Sequence, residues 1–246
     1  MKFVYVADSE GLVPYAMSAV LIDEKDWRAT YDLFAAFRKN MKTEASLDPA
    51  SPLCILPLAS GTGTGSLAPG RGRNVLSSFA QLLSALPVTI VSVASQSGGD
   101  QRAALRQRAF PIAMQRIERA SAMEDGFRFT VVCNSGMESD IRSLSRKLRK
   151  YNPLPGGLNV PMTELIEDSF VREQNTSHLL KSAEFAAFLV RAFSLLKNDD
   201  SETSFLSEYA ELDKKFVFRI FSLWSERGIL MERASMSNKY GIVTIR

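Results

Sequence analysis

The chain has 246 residues, of which 46% are hydrophobic and 23% charged, with a net charge of +3 at neutral pH. This length supports one sizeable core, or one domain with a small addition, and the composition excludes disorder as the default. Two cysteines, a single histidine and no CxxC argue against a zinc site or a disulfide framework, so Cys54 and Cys133 read as reduced core thiols.

Strands and helices alternate from the start. Phe3 to Ala7 is expected as a strand and Ala16 to Ile22 as a second, with Gly11 and Pro14 in the turn between. The opening MKFVYVADSEG lacks the apolar region and cleavage site of a signal peptide. No apolar run reaches the roughly 18 residues of a membrane span. The expectation is a cytoplasmic protein with no membrane contact.

Asp23 stands where it can cap a helix over Glu24 to Met41, which carries Trp27, Tyr31, Phe34 and Phe37 at helical spacing. Leu53 to Leu58 is a short apolar run. Ser60 to Arg73, SGTGTGSLAPGRGR, is a glycine-rich loop without GxxxxGK[ST] or a GxGxxG that opens a helix. A nucleotide-binding enzyme built on that loop is therefore a minor alternative.

A helix over Val75 to Leu86, a strand over Val88 to Ala94 and a long helix over Gln101 to Met123 follow. Arg128 to Cys133 is a β-branched strand that stops at Asn134-Ser135-Gly136, before a basic helix that reaches about Lys150. Pro153, Pro155, Gly156 and Gly157 break the chain. Met162 to Ile166 is expected as a short strand, and Ser177 to Lys197 as a helix whose Ala/Phe/Leu-rich body calls for burial. After 198–201 the expectation is a small extension: a helix over Leu212 to Arg227, then strands Ile229 to Arg233 and Tyr240 to Ile245 as a hairpin around 237–239. The domains expected are 1–198 and 199–246.

Basic residues crowd between Arg71 and Lys150. Arg102 and Arg106 are one helical turn apart, as are Arg142 and Arg146. With Arg71 and Arg73 they are candidate contacts to a phosphate backbone; the plain alternative is a set of solvated helix faces. Ser-His or Cys-His catalysis would depend on His178, which opens an apolar helix with no GxSxG before it.

Three positions carry a candidate metal chemistry. They are the acidic turn after the first strand (Asp8, Glu10), the polar residue closing a central strand (Asn134) and the acidic residue of the late apolar helix (Glu184). In a ribonuclease H-like sheet these places converge, and carboxylates there hold Mg²⁺ or Mn²⁺ for phosphodiester cleavage.

Here the sequence resembles a large bacterial and phage family of ribonuclease H-like proteins, domain-of-unknown-function family number thirty-eight hundred. The likeness rests on FVYVADSEGL, AMSAVLIDEKDW, FTVVCNSGMESDIRSL and HLLKSAEFAAFLV, and spans Met1 to Asn198. It implies an α/β fold with a mixed central sheet flanked by helices. It implies that Asp8 and Glu10 stand for the family's opening Asp-Glu pair, Asn134 for its strand-closing Asp and Glu184 for its helix Asp. Pro57-Leu58-Ala59 replaces a Glu-Leu-His segment, and Lys181 replaces a Gln.

Two functions follow from the resemblance. One is a divalent-metal nuclease with a weakened carboxylate site at Asp8, Glu10 and Glu184, helped by Asn134. The other, slightly favoured, is an inactive member that binds nucleic acid or a protein partner within a larger assembly. The family's association with mobile elements and antiviral defence would place either of them in nucleic-acid processing.

Overall fold

The computed structural model describes residues 1–9, 14–49, 51–61, 70–95, 101–124, 126–153, 158–173, 177–197, 209–210, 212–231 and 240–245. Glu10, most of the glycine-rich loop and residues 198–201 and 237–239 lie outside them.

The core is a six-stranded sheet: β1 (Lys2–Asp8), β2 (Tyr15–Asp23), β3 (Val88–Ser95), β4 (Phe129–Cys133), β5 (Phe170–Val171) and β6 (Val243–Ile245). Their order across the sheet is β5-β4-β1-β2-β3-β6. β2 is antiparallel to β1, from Lys2↔Asp23 to Asp8↔Met17, and antiparallel to β3. β4 is parallel to β1, β5 to β4 and β6 to β3. Only β2 therefore runs against the other five.

The helices are α1 (Glu24–Ala45), α2 (Ile55–Ser60), α3 (Arg71–Ala85), α4 (Arg102–Met123), α5 (Glu138–Leu148), α6 (His178–Lys197) and α7 (Lys214–Glu226). Successive strand residues point to opposite faces, and the helices divide between them. Val4 and Val6 of β1, with Tyr15 and Met17 of β2, pack against Leu105, Phe110 and Ile117 of α4 and Ile141 of α5. Tyr5 and Ala7, with Ala16 and Val20, pack on the other side, where α1, α2, α3, α6 and α7 gather. Because both faces are covered, the strands read as continuous apolar runs rather than alternating ones.

α6 is buried almost all round, from Leu179 to Ala192, as its composition demands. α2 and α3 approach so closely that a Cβ on Gly72 would lie 2.1 Å from the Leu58 carbonyl oxygen, which only glycine permits. α1 starts after Asp23, but the Asp23 side chain makes no capping hydrogen bond; Glu24 and Asp26 supply the first-turn negative charge instead.

Two details differ from the sequence expectation. The strand expected at Met162 to Ile166 is one bridge, Leu165 with Phe129, and the paired strand comes later, at Phe170–Val171. The tail does not pair with itself as a hairpin in its described residues. Leu230 bridges Ile90 and β6 pairs with Val93–Ser95, both parallel to β3, so the two segments line one edge in succession. The described residues beyond 198 pack on the main core. Trp224 of α7 is fully buried and donates its indole N–H to the Ala80 carbonyl at 3.0 Å. Arg116 of α4 donates to the Met231 and Gly241 carbonyls.

No helix among the described residues is long and apolar enough to cross a membrane.

Candidate functional site

Parallel strands of an α/β sheet present their carboxyl ends as the usual place for chemistry. Here that place is the end of β1 and β4, flanked by the first turns of α4 and α5. Asp8 closes β1 and, as an even-numbered residue like Val4 and Val6, faces α4. Its side chain is 3% exposed.

Two arginines one turn apart on α4 enclose it. Arg102 donates from Nη2 to Asp8 Oδ1 at 2.7 Å and from Nε to Oδ2 at 3.1 Å. Arg106 donates from Nη2 and Nε to Oδ2 at 2.9 and 3.2 Å. The Tyr15 hydroxyl donates to the same oxygen at 3.2 Å. Arg106 also reaches α5: its Nη1 donates to Asp140 Oδ2 at 2.5 Å and, weakly, to the Gly136 carbonyl at 3.5 Å. Arg102 donates further to the Ser9 carbonyl at 2.9 Å. These are charge-assisted contacts to a buried carboxylate, the strong kind.

The electrostatics follow from the geometry. Burial works against the charge of Arg102 and Arg106, but the hydrogen bonds and negative charge of Asp8 outweigh it, and both guanidinium groups are held more firmly protonated than usual. The Tyr15 phenol is pushed far up by burial and by Asp8 beside it, so it remains a donor. One carboxylate and two arginines leave a net positive charge, which Asp140 balances.

Such a site does not fit Mg²⁺ or Mn²⁺. A hard cation needs free carboxylate oxygens, and both oxygens of Asp8 already accept from guanidinium groups whose positive charge would repel a second cation. Glu184 does not join it. α6 covers the opposite face, so the sheet lies between Asp8 and Glu184. The Glu184 carboxylate is instead bound by Lys181 at 2.8 Å, one turn back on its own helix. Asn134 follows β4 in an extended conformation, φ −82° and ψ 164°. Among the described residues, no group of three His, Cys, Asp or Glu side chains is placed to hold a metal ion.

Most of the expected phosphate contacts also carry a carboxylate partner within the chain. Arg102 and Arg106 both pair with Asp8, Arg106 nearly buried and Arg102 still partly open to solvent. Arg73 pairs with Asp213 at 2.9 Å, Arg142 with Glu138, and Arg146 with Asp168. Arg71 is exposed at the start of α3. Five of these six arginines are thus already engaged by carboxylates. Cys133 is buried, and burial pushes its thiol up to about 11, which suits a core thiol and not a nucleophile. Cys54 is half-buried, and both cysteines are free.

Sequence reasoning missed the Asp8 cluster, although one signal was present. The first turn of α4 carries no acidic residue and starts with Arg102. A positive charge at a helix N-terminus opposes the macrodipole, so two arginines there imply a fixed anion nearby.

Three antiparallel strands, with two more added in parallel beyond β1, and helices on both faces, define a ribonuclease H-like fold. No protein family matches this chain, and no curated protein resembles it in sequence. Among solved structures, the ribonuclease H2 from Pyrococcus horikoshii OT3 is 13% identical. The match covers 93% of this chain and 89% of that one, with a TM-score of 0.45. At that score the likeness is loose, and the fold class rests on strand order and direction.

Proposed function

We propose that this chain is a degenerate relative of the family it resembles, keeping the ribonuclease H-like fold without divalent-metal chemistry. In this reading it is a cytoplasmic, non-catalytic subunit that binds a protein partner in a nucleic-acid-processing or antiviral assembly. The observation that carries the reading is Asp8, the expected first metal ligand, held by Arg102 and Arg106 on the face away from Glu184. A protein partner is favoured over nucleic acid because so many of the basic side chains are neutralised internally. In addition, Tyr151, Leu158, Val160, Ile166 and Phe170 are 41–66% exposed in the segment leading to the edge strand β5. Exposed apolar and aromatic side chains at a sheet edge suit protein contact.

Calorimetric titration of the wild type with Mg²⁺ and Mn²⁺ tests the first part. The expected result is no binding at several millimolar and no cleavage of single- or double-stranded DNA or RNA. Metal binding that Asp8→Asn abolishes would sink it. Binding to fluorescent oligonucleotides tests the second part: affinity that falls steeply with salt would favour nucleic acid instead.

A further inference from the structure

Arg106 occupies an unusual position. Three oxygens from separate segments converge on its guanidinium: Asp8 Oδ2 from β1, Asp140 Oδ2 from α5, and the Gly136 carbonyl. Its side chain is 9% exposed, against 38% for Arg102 and 26% for Asp140. All three acceptors are hard oxygens, and the two carboxylates lie within the span of one planar group. Mg²⁺ and Mn²⁺ characteristically bind through one or two carboxylates while keeping several waters. The fourth polar neighbour, Tyr15, donates to Asp8 and takes up no metal valence.

We propose that Arg106 is the resident cation of this site, filling the place between Asp8 and Asp140 that a divalent ion would take and keeping a latent cation site closed. The proposal rests on the non-catalytic reading above and adds what replaced the metal: a side chain on α4. A tethered guanidinium has three consequences. It is never lost by dilution, it neutralises the buried Asp8, and it ties β1 to α5 without any dependence on metal supply. Arg102 contributes the rest of the positive charge from the more open side.

The site charge sets the expected order of behaviour. With both arginines present, two carboxylates and two guanidinium groups cancel. Arg106→Gln leaves one net negative charge, and Arg102→Gln/Arg106→Gln leaves two. Mn²⁺ is the probe, followed by loss of the free-ion electron paramagnetic resonance signal, with thermal unfolding as a second readout. The wild type should bind none, Arg106→Gln weakly, and the double variant about tenfold more tightly or better, since each step removes a repelling charge next to the ion. Adding Asp140→Asn to the double variant should abolish the gain.

If Arg106→Gln is unfolded without metal, the proposal requires that Mn²⁺ restore its folding, because binding to a native site is folding free energy. A double variant that is folded yet binds no Mn²⁺, or an unfolded one that Mn²⁺ does not rescue, would overturn the inference and leave Arg106 as an ion-pair partner only. Neither result touches the non-catalytic reading, which fails if the wild type binds metal at Asp8 or cleaves nucleic acid.

Discussion

Two buried carboxylates, on opposite faces of one sheet, solve the same problem differently. Asp8 is neutralised by groups 94 and 98 residues away in sequence, on another element, and shares Arg106 with a third. Glu184 is neutralised by Lys181, three residues away on the same helix. The first arrangement joins β1, β2, α4 and α5; the Lys181–Glu184 pair lies within one turn of α6. A buried pair that spans elements specifies tertiary structure, whereas a local one only permits a helix to be buried.

The largest test of this contrast is Arg106→Ala. It leaves Asp8 with a single guanidinium partner and Asp140 with none from α4. Unfolding in denaturant should show a loss of about 3–5 kcal/mol, the usual cost of breaking a buried ion pair from one side. A change below the error of the measurement would mean that the network is slack.

Replacing both members of a pair separates the two regions more sharply. Lys181→Met/Glu184→Leu removes both members of a pair held on one helix and should be neutral, or stabilising by up to about 4 kcal/mol. The matching change at the other site, Asp8→Leu/Arg106→Met, strands Arg102, Tyr15 and Asp140 and should be clearly destabilising. Equal outcomes for the two double variants would erase the distinction.

A smaller effect is expected at the join between α3 and α7. Asp213 accepts from the Phe216 backbone N–H at 2.6 Å as the cap of α7, and it pairs with Arg73. Asp213→Ala should cost about 1 kcal/mol from the lost cap. The Arg73 hydrogen bond holds the Asp213 carboxyl below the ordinary carboxylate range. Its contribution is therefore present above that range and is lost as pH falls through the folded-state value. Measuring stability of wild type and variant at neutral and acid pH should show the gap closing on acidification.

The smallest effect concerns His178, which stacks on Phe34 and tilts against Tyr31. Burial, with Arg38 nearby, lowers its pKa. The unfolded chain then binds a proton that the folded chain refuses, so stability declines as pH falls below about 6.5 and levels off at the folded value. His178→Phe should flatten that slope, as read by denaturant midpoints between neutral and mildly acid pH.

Much of the architecture was legible because periodicity is a local property. Val88 to Ala94, Gln101 to Met123 and Ser177 to Lys197 come within a residue or so of the observed elements, since their apolar spacing is long and regular. The two-residue β5 was misplaced because so short a strand has no period to read. The described parts of the tail pair with β3 rather than with each other; the turn-like Ser237-Asn238-Lys239 suggests a local partner, while β3 lies more than a hundred residues earlier. At the site, Asp8 was found and its partners were not. Helical spacing places Arg102 and Arg106 on one face but does not say whether that face turns to solvent or to the sheet.

The successive docking of Leu230 and β6 along β3 has a consequence for the protein in a crowded solution. β3 reads VTIVSVAS and is buried along nearly its whole length. Without the tail its outer N–H and C=O groups would form a bare, uncharged β-branched edge, the sort that recruits strands from other molecules. Leu230 and β6 cover stretches of that edge with the chain's own backbone, so those groups are not offered to other molecules.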